Sequence, residues 1–121
     1  MYELTIEEHF AAAHRLRDYD GDCERLHGHN WRVEVQVAAP DLDELGMVLD
    51  FRRLKSVLHE VLADFDHSYL NESAPFDRIN PTTENLCRHI ADGVARRLPP
   101  SVAVRRVSCW ESEKSGASYL P

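Results

Sequence analysis

The sequence predicts an α+β domain: an antiparallel four-stranded sheet with two helices on one face, in the order strand, strand, helix, helix, strand, strand. Three observations lead there. Apolar and polar residues alternate from Tyr2 to Leu16 and again from Trp31 to Val37, the spacing becomes helical after Asp50, and alternation returns from Val102. No linker, internal repeat or low-complexity tract interrupts the chain, so a single domain over residues 1–121 is expected.

The first strand runs from Tyr2 to Leu16, with Tyr2, Leu4, Ile6, Phe10, Ala12, His14 and Leu16 on one face and Glu8 as the one charge among them. DYDGD supplies turn chemistry, and a second strand follows with Trp31, Val33, Val35 and Val37 inward. Phe51, Leu54, Leu58, Val61, Leu62 and Phe65 form the stripe of a first helix, capped by Asp50. NESAPFDRINP reads as a loop. The second helix starts near Thr82 as its cap, with Glu84 in the first turn where the helix dipole favours an acid, and Pro99-Pro100 ends it. Val102 to Glu111 forms a third long strand, and Gly116 to Tyr119 a short fourth.

Composition narrows the function. The formal net charge of −7, spread along the chain, argues against nonspecific nucleic-acid binding, which needs Lys and Arg to neutralise phosphates. No basic segment followed by an apolar run opens the chain, and no apolar stretch approaches the ~20 residues that cross a bilayer, so neither signal peptide nor membrane span is expected. Three widely spaced cysteines without a CxxC pair point to a reduced, cytoplasmic setting. A chain of 121 residues makes only a limited pocket alone, a limit that a site shared between subunits relieves.

The chemistry gathers around histidine. In an extended His27-Gly28-His29 both rings point to one face, the face that continues into Trp31 and Val33. His14 lies on the inward face of its own strand. A hairpin about Gly21-Asp22 would set His14 opposite His29 and Leu16 opposite His27, converging three imidazoles. Three histidines with an open fourth position are what a catalytic zinc ion requires. An inward histidine by itself is more often a hydrogen-bonded core residue, so the weight rests on the trio. Cys23 precedes His27 in the turn beside that site, where a nearby positive charge would favour its thiolate. It is a candidate base, or a fourth ligand in a resting or purely structural site. Asp66-His67 follows the first helix as a candidate carboxylate–imidazole pair, and Glu111 ends the third long strand. His9, His59 and His89 lack comparable partners and read as non-ligands; Cys87 and Cys109 read as structural.

The motifs FAAAHRL (10–16), CERLHGHNW (23–31), GMVLDF (46–51), FDHSYLN (65–71), NPTTENL (80–86) and WES (110–112) together resemble the 6-pyruvoyl/6-carboxytetrahydropterin synthase family. The resemblance runs nearly the whole chain. It implies that His14, His27 and His29 bind zinc, that Cys23, Asp66 and His67 are catalytic, and that Glu111 anchors the pterin beside Thr82, Thr83 and Glu84. It further implies the tunnelling fold, a homohexamer with active sites at subunit interfaces, and 7,8-dihydroneopterin triphosphate as substrate. The short chain and the CxxxHGH spacing look more like the branch that forms 6-carboxytetrahydropterin, acetaldehyde and triphosphate for 7-deazapurines such as queuosine. Triphosphate elimination alone, giving the 6-pyruvoyl product, and a non-catalytic zinc-bearing pterin binder remain the alternatives. Ser112 stands where a Thr is common after WE, and Ser68-Tyr69 follows the Asp-His pair at a variable place. Arg15, Arg25 and Lys114 are the candidates for holding the triphosphate.

Overall fold

The alternation at the start of the chain becomes a long two-stranded ladder. In a computed structural model, residues 1–19 and 25–121 are described. In chain order the elements are β1 (Tyr2–His14), β2 (His27–Ala39), α1 (Phe51–Leu62), β3 (Ser68–Tyr69), a 3-10 turn at Leu70–Glu72, α2 (Thr83–Ala95), β4 (Ala103–Trp110) and β5 (Gly116–Tyr119). The sheet order is β3-β1-β2-β4-β5.

Both helices were expected where they form, and their caps are the expected residues. Asp50 accepts the Arg52 N–H, and Thr82 accepts the Asn85 N–H. Each helix turns an apolar stripe onto the inward face of the sheet, so Leu54, Leu58, Leu86, Ile90 and Val94 share one core with Phe10, Trp31, Val33, Val35 and Val107. The helices approach closely at Gly93, where a Cβ would stand 3.1 Å from Val61 Cγ1. Glu8, the charge on the inward face of β1, escapes isolation by lying 3.3 Å from His59 of α1. Cys87 and Cys109 are buried, and the Cys87 thiol lies 3.2 Å from the Ala117 carbonyl. The neighbouring Cys87 thiol and burial push the Cys109 thiol up, which suits a structural place.

Two features correct the expectation. The sheet has five strands rather than four, because Ser68 and Tyr69 add a short parallel edge against Ala12 and Ala13. Two residues are too few to show an alternation. The hairpin register also differs: His14 faces His27, and Ala12 faces His29. β1 ends at His14 and β2 begins at His27, and the buried face sets the register between them. The difference is two residues, so every side chain keeps its face and the histidines still converge. β1 accordingly stops at His14 rather than Leu16.

Candidate metal centre and active site

The three histidines meet where β1 ends and β2 begins. One ring nitrogen from each of His14, His27 and His29 lies within 4.8 Å of the others. Their floor is Trp31, fully buried, whose ring sits 5.1 Å from His14 and 5.2 Å from His29 and stacks on Phe10 at 6.0 Å. Its indole N–H donates to the Ala12 carbonyl at 3.3 Å, so the floor leaves no polar group unpaired. The sequence placed Trp31 in the core; its contact with two of the rings follows from the i, i+2 spacing that carries His29 onto the same face.

Backbone carbonyls orient two of the rings. His14 Nδ1 faces the Pro81 carbonyl at 2.8 Å, and His27 Nδ1 faces the Arg25 carbonyl at 2.7 Å. A carbonyl only accepts, so in a neutral ring Nδ1 carries the proton and Nε2 keeps its lone pair. The Nε2 atoms of His14 and His29 are buried and find no hydrogen-bond partner among the described residues. A buried orphan of this kind is costly unless something occupies it. Burial pushes the His14 imidazole below its ordinary pKa, against the pull of the Pro81 carbonyl, and His27 and His29 add to the lowering. Burial likewise lowers His29, with Glu111 opposing it. Both rings are therefore neutral near pH 7, as metal ligands must be. The donor set and the orphaned nitrogens fit a metal ion.

Glu111 closes the cluster. Its Oε2 lies 3.9 Å from His14 Nε2 and 3.7 Å from His29 Nε2. Together with Leu16, Tyr19, Thr82, Thr83 and Glu84, the rings of His14 and His27 and Glu111 line a cavity of about 250 Å³. The structure thus gathers the histidine trio, the acid of WES and the TTE segment in one place. Thr82 and Thr83 are half-buried there, and Glu84 is exposed. Cys23 lies outside the described residues.

Asp66 and His67 form a pair, but elsewhere. Asp66 Oδ1 lies 3.0 Å from His67 Nδ1 and also accepts the Ala11 N–H at 3.0 Å. That backbone bond holds the Asp66 carboxyl below its usual range, with His67 acting in the same direction. His67 adopts φ 59°, in the left-handed region, which turns the chain from the end of α1 into β3. Its side chain is 82% exposed. The groove beside it runs over Ala11, Ala13, Gly28 and Asn30, and Ala12 and His29 also line it. Within one chain, then, the pair is not among the residues lining the histidine–Glu111 cavity.

Of the histidines read as non-ligands, His9 lies 3.8 Å from Glu7, His59 pairs with Glu8, and His89 packs edge-on to Phe65 and Phe76. Arg15 is exposed at the end of β1, Arg25 is exposed, and Lys114 lies in the β4–β5 turn. The residues missed from sequence are Tyr19 and Leu16 in the cavity wall and Pro81 as the His14 partner. A main-chain acceptor has no sequence signature, and only its place within NPTTENL hinted at it.

Fold and site define a small α+β protein with a three-histidine cluster able to hold a metal ion beside a small cavity. The chain belongs to the 6-pyruvoyl tetrahydropterin synthase family, whose model matches residues 3–121. It is 40% identical over 125 residues to the 6-carboxy-5,6,7,8-tetrahydropterin synthase of Synechocystis sp., covering 99% of this chain and 94% of that one. It is 36% identical over 107 residues to a dihydroneopterin monophosphate aldolase of Pyrococcus furiosus, covering 88% and 87%. The solved structure of Caenorhabditis elegans 6-pyruvoyl tetrahydropterin synthase matches with TM-score 0.84 and 28% identity, covering 100% of this chain and 97% of that one. The tunnelling fold is the fold of this chain. Among the described residues no helix is long and apolar enough to cross a membrane.

Proposed function

We propose that the protein is a zinc-dependent 6-carboxy-5,6,7,8-tetrahydropterin synthase, converting 7,8-dihydroneopterin triphosphate to 6-carboxytetrahydropterin, acetaldehyde and triphosphate. The observation that carries the reading is the cavity in which His14, His27, Glu111, Thr82 and Thr83 meet, on a chain that belongs to the pterin synthase family. Near-complete alignment with the Synechocystis relative favours the carboxy-forming branch. The product would feed 7-deazapurine synthesis such as that of queuosine, in a reduced, cytoplasmic setting suited to a catalytic thiol.

His14, His27 and His29 would hold zinc, which when bound supplies Lewis acidity toward the oxygens of the substrate side chain. Glu111 accepts hydrogen bonds from the 2-amino and ring N–H groups of the pterin, a bidentate match that fixes orientation. Thr82 uses its oxygen to accept the Asn85 N–H, which leaves its hydroxyl proton free to donate into the cavity. Asp66 keeps the proton on His67 Nδ1, so His67 Nε2 is the atom that takes a proton from substrate. Cys23 Sγ is the second proton-moving atom. The cavity falls below the ~300–1,000 Å³ usual for a site that engulfs a small molecule, and His67 is exposed. Both facts support a homo-oligomer, a hexamer by family resemblance, in which the Asp66–His67 pair of one copy completes the site of another.

The test is incubation of zinc-loaded protein with 7,8-dihydroneopterin triphosphate, products identified by mass spectrometry, with Cys23→Ala as control. Cys23-dependent 6-carboxytetrahydropterin and acetaldehyde are expected. A 6-pyruvoyl product would move the protein to the sister activity, and turnover of the monophosphate alone would move it to that of the Pyrococcus relative. No turnover with zinc bound and the fold intact would sink the substrate assignment. If Cys23→Ala loses zinc and unfolds, the metal is structural.

A further inference from the structure

Just past His14 the chain is held by side chains that imitate backbone. Asn71 Oδ1 accepts the Arg15 N–H while its Nδ2 donates to the Arg15 carbonyl, both at 2.9 Å. Asn80 repeats the arrangement on Arg17, at 2.8 and 3.1 Å. Each amide satisfies both backbone groups of one residue, as a neighbouring strand would. Arg17 answers in the other direction: its guanidinium donates to the carbonyls of Phe76 (2.6 Å), Asn71 (3.2 Å) and Ile79 (3.2 Å). Asn85 of α2 secures the same loop by donating to the Asn80 carbonyl at 2.9 Å. Pro75 and Pro81 have no N–H to give a ladder, so side chains do the pairing here.

This latch ties the exit of β1 to the loop that delivers Pro81, and Pro81 is the acceptor for His14 Nδ1. We infer that Arg17, Asn71 and Asn80 are positioning residues for the metal: they hold the Pro81 carbonyl against His14 and so keep His14 in the tautomer whose Nε2 is free to bind the ion. The inference rests on the metal reading of the histidine cluster. None of the three latch residues lines the His14–Glu111 cavity, and none is a ligand. Their effect passes through one carbonyl. Groups that orient a ligating histidine in this way typically govern metal affinity by about 10–100-fold.

The test uses the full chain with Arg17→Met, which keeps the stem and removes the fork, and separately Asn80→Ala, which removes one amide and keeps Arg17. Zinc affinity is measured by competition with a chromophoric chelator. Histidine tautomers are read in the zinc-free protein by 15N–1H correlation of the imidazoles. Zinc binding about 10–100-fold weaker is expected in both variants, with His14 moving from the Nδ1–H tautomer toward a mixture. His27 should not move, because its partner is the Arg25 carbonyl, outside the latch. Asp50→Ala, a loss of cap remote from the latch, should leave zinc affinity at the parent value and so separates positioning from general destabilisation. Parent-like affinity in both variants, or equal tautomer changes at His14 and His27, would overturn the inference while leaving the metal reading intact. A parent chain that binds no zinc would overturn the metal reading and this inference with it.

Discussion

His89 shows how a single ring couples the core to pH. Burial beside Phe65 and Phe76 is the main cause that lowers its pKa, and the charges of Arg96 and Arg97 act the same way against Asp92. The folded chain therefore binds fewer protons than the unfolded chain between the lowered value and 6.5. Stability from this ring is complete above 6.5 and is lost as pH falls through that window. In zinc-free protein the urea midpoint should drop with acidification, less steeply for His89→Gln than for the parent; identical slopes would remove His89 from the account. His14 and His29 shift in the same direction, so some slope must remain. Gly116 is a second decisive residue. A Cβ there would stand 2.5 Å from Trp110 Cδ2 and 2.9 Å from the Cys109 carbonyl, while the Arg32 guanidinium lies 4.9 Å from the Trp110 ring centroid. With little room to retreat, Gly116→Ala should lower stability by about 1–3 kcal/mol, measured by urea unfolding. A change below experimental error would show that Trp110 can move aside.

Among the elements, the helix caps separate stability from chemistry. Asp50→Ala and Thr82→Ala should each lower stability, Thr82→Ala by about 1 kcal/mol, but only the Thr82 change should reduce turnover, because Thr82 also lines the cavity. Thr82→Ser should restore both; equal turnover in the two alanine variants would confine Thr82 to capping. These caps, and the strands and helices they bound, were legible because each announces itself locally, through a period or an oxygen at the right offset. The histidine trio was legible for the same reason: i, i+2 spacing survives a register shift of two. What was not legible depends on contacts between distant segments. β3 is too short to carry a pattern, and Asn71 and Asn80 look like ordinary loop residues until the fold sets them against Arg15 and Arg17. Asp66 and His67, a candidate pair that adjacency alone need not bring into contact, stand 3.0 Å apart. The pair's exposure, outside the cavity of His14, His27 and Glu111, accompanies the left-handed turn at His67, which nothing in the letters Asp-His reveals.

For the whole molecule, that separation makes the proposed assembly testable by mixing. Subunits carrying Cys23→Ala retain the Asp66–His67 pair, and subunits carrying His67→Ala retain Cys23. If one copy completes another's site, co-expressed mixtures should regain part of the turnover that neither pure variant shows. Mixtures as inactive as their parents would return both groups to a single chain's site. Light scattering of the same samples would report the number of copies, with a monomer excluding the shared site outright.

β2 and β4 fall out of step at one place: Gln36 faces Arg106 and Val37 faces Val104, so Arg105 has no partner of its own. Val104 and Val107 both reach the core with two exposed arginines between them. Losing one codon inside a strand normally turns all that follows inside out. Here, removing Arg105 would leave Val104, Arg106 and Val107 in plain alternation, with every later side chain on its present face. The strand thus carries a spare letter, and a descendant of this sequence could drop it without rewriting the rest of the sheet.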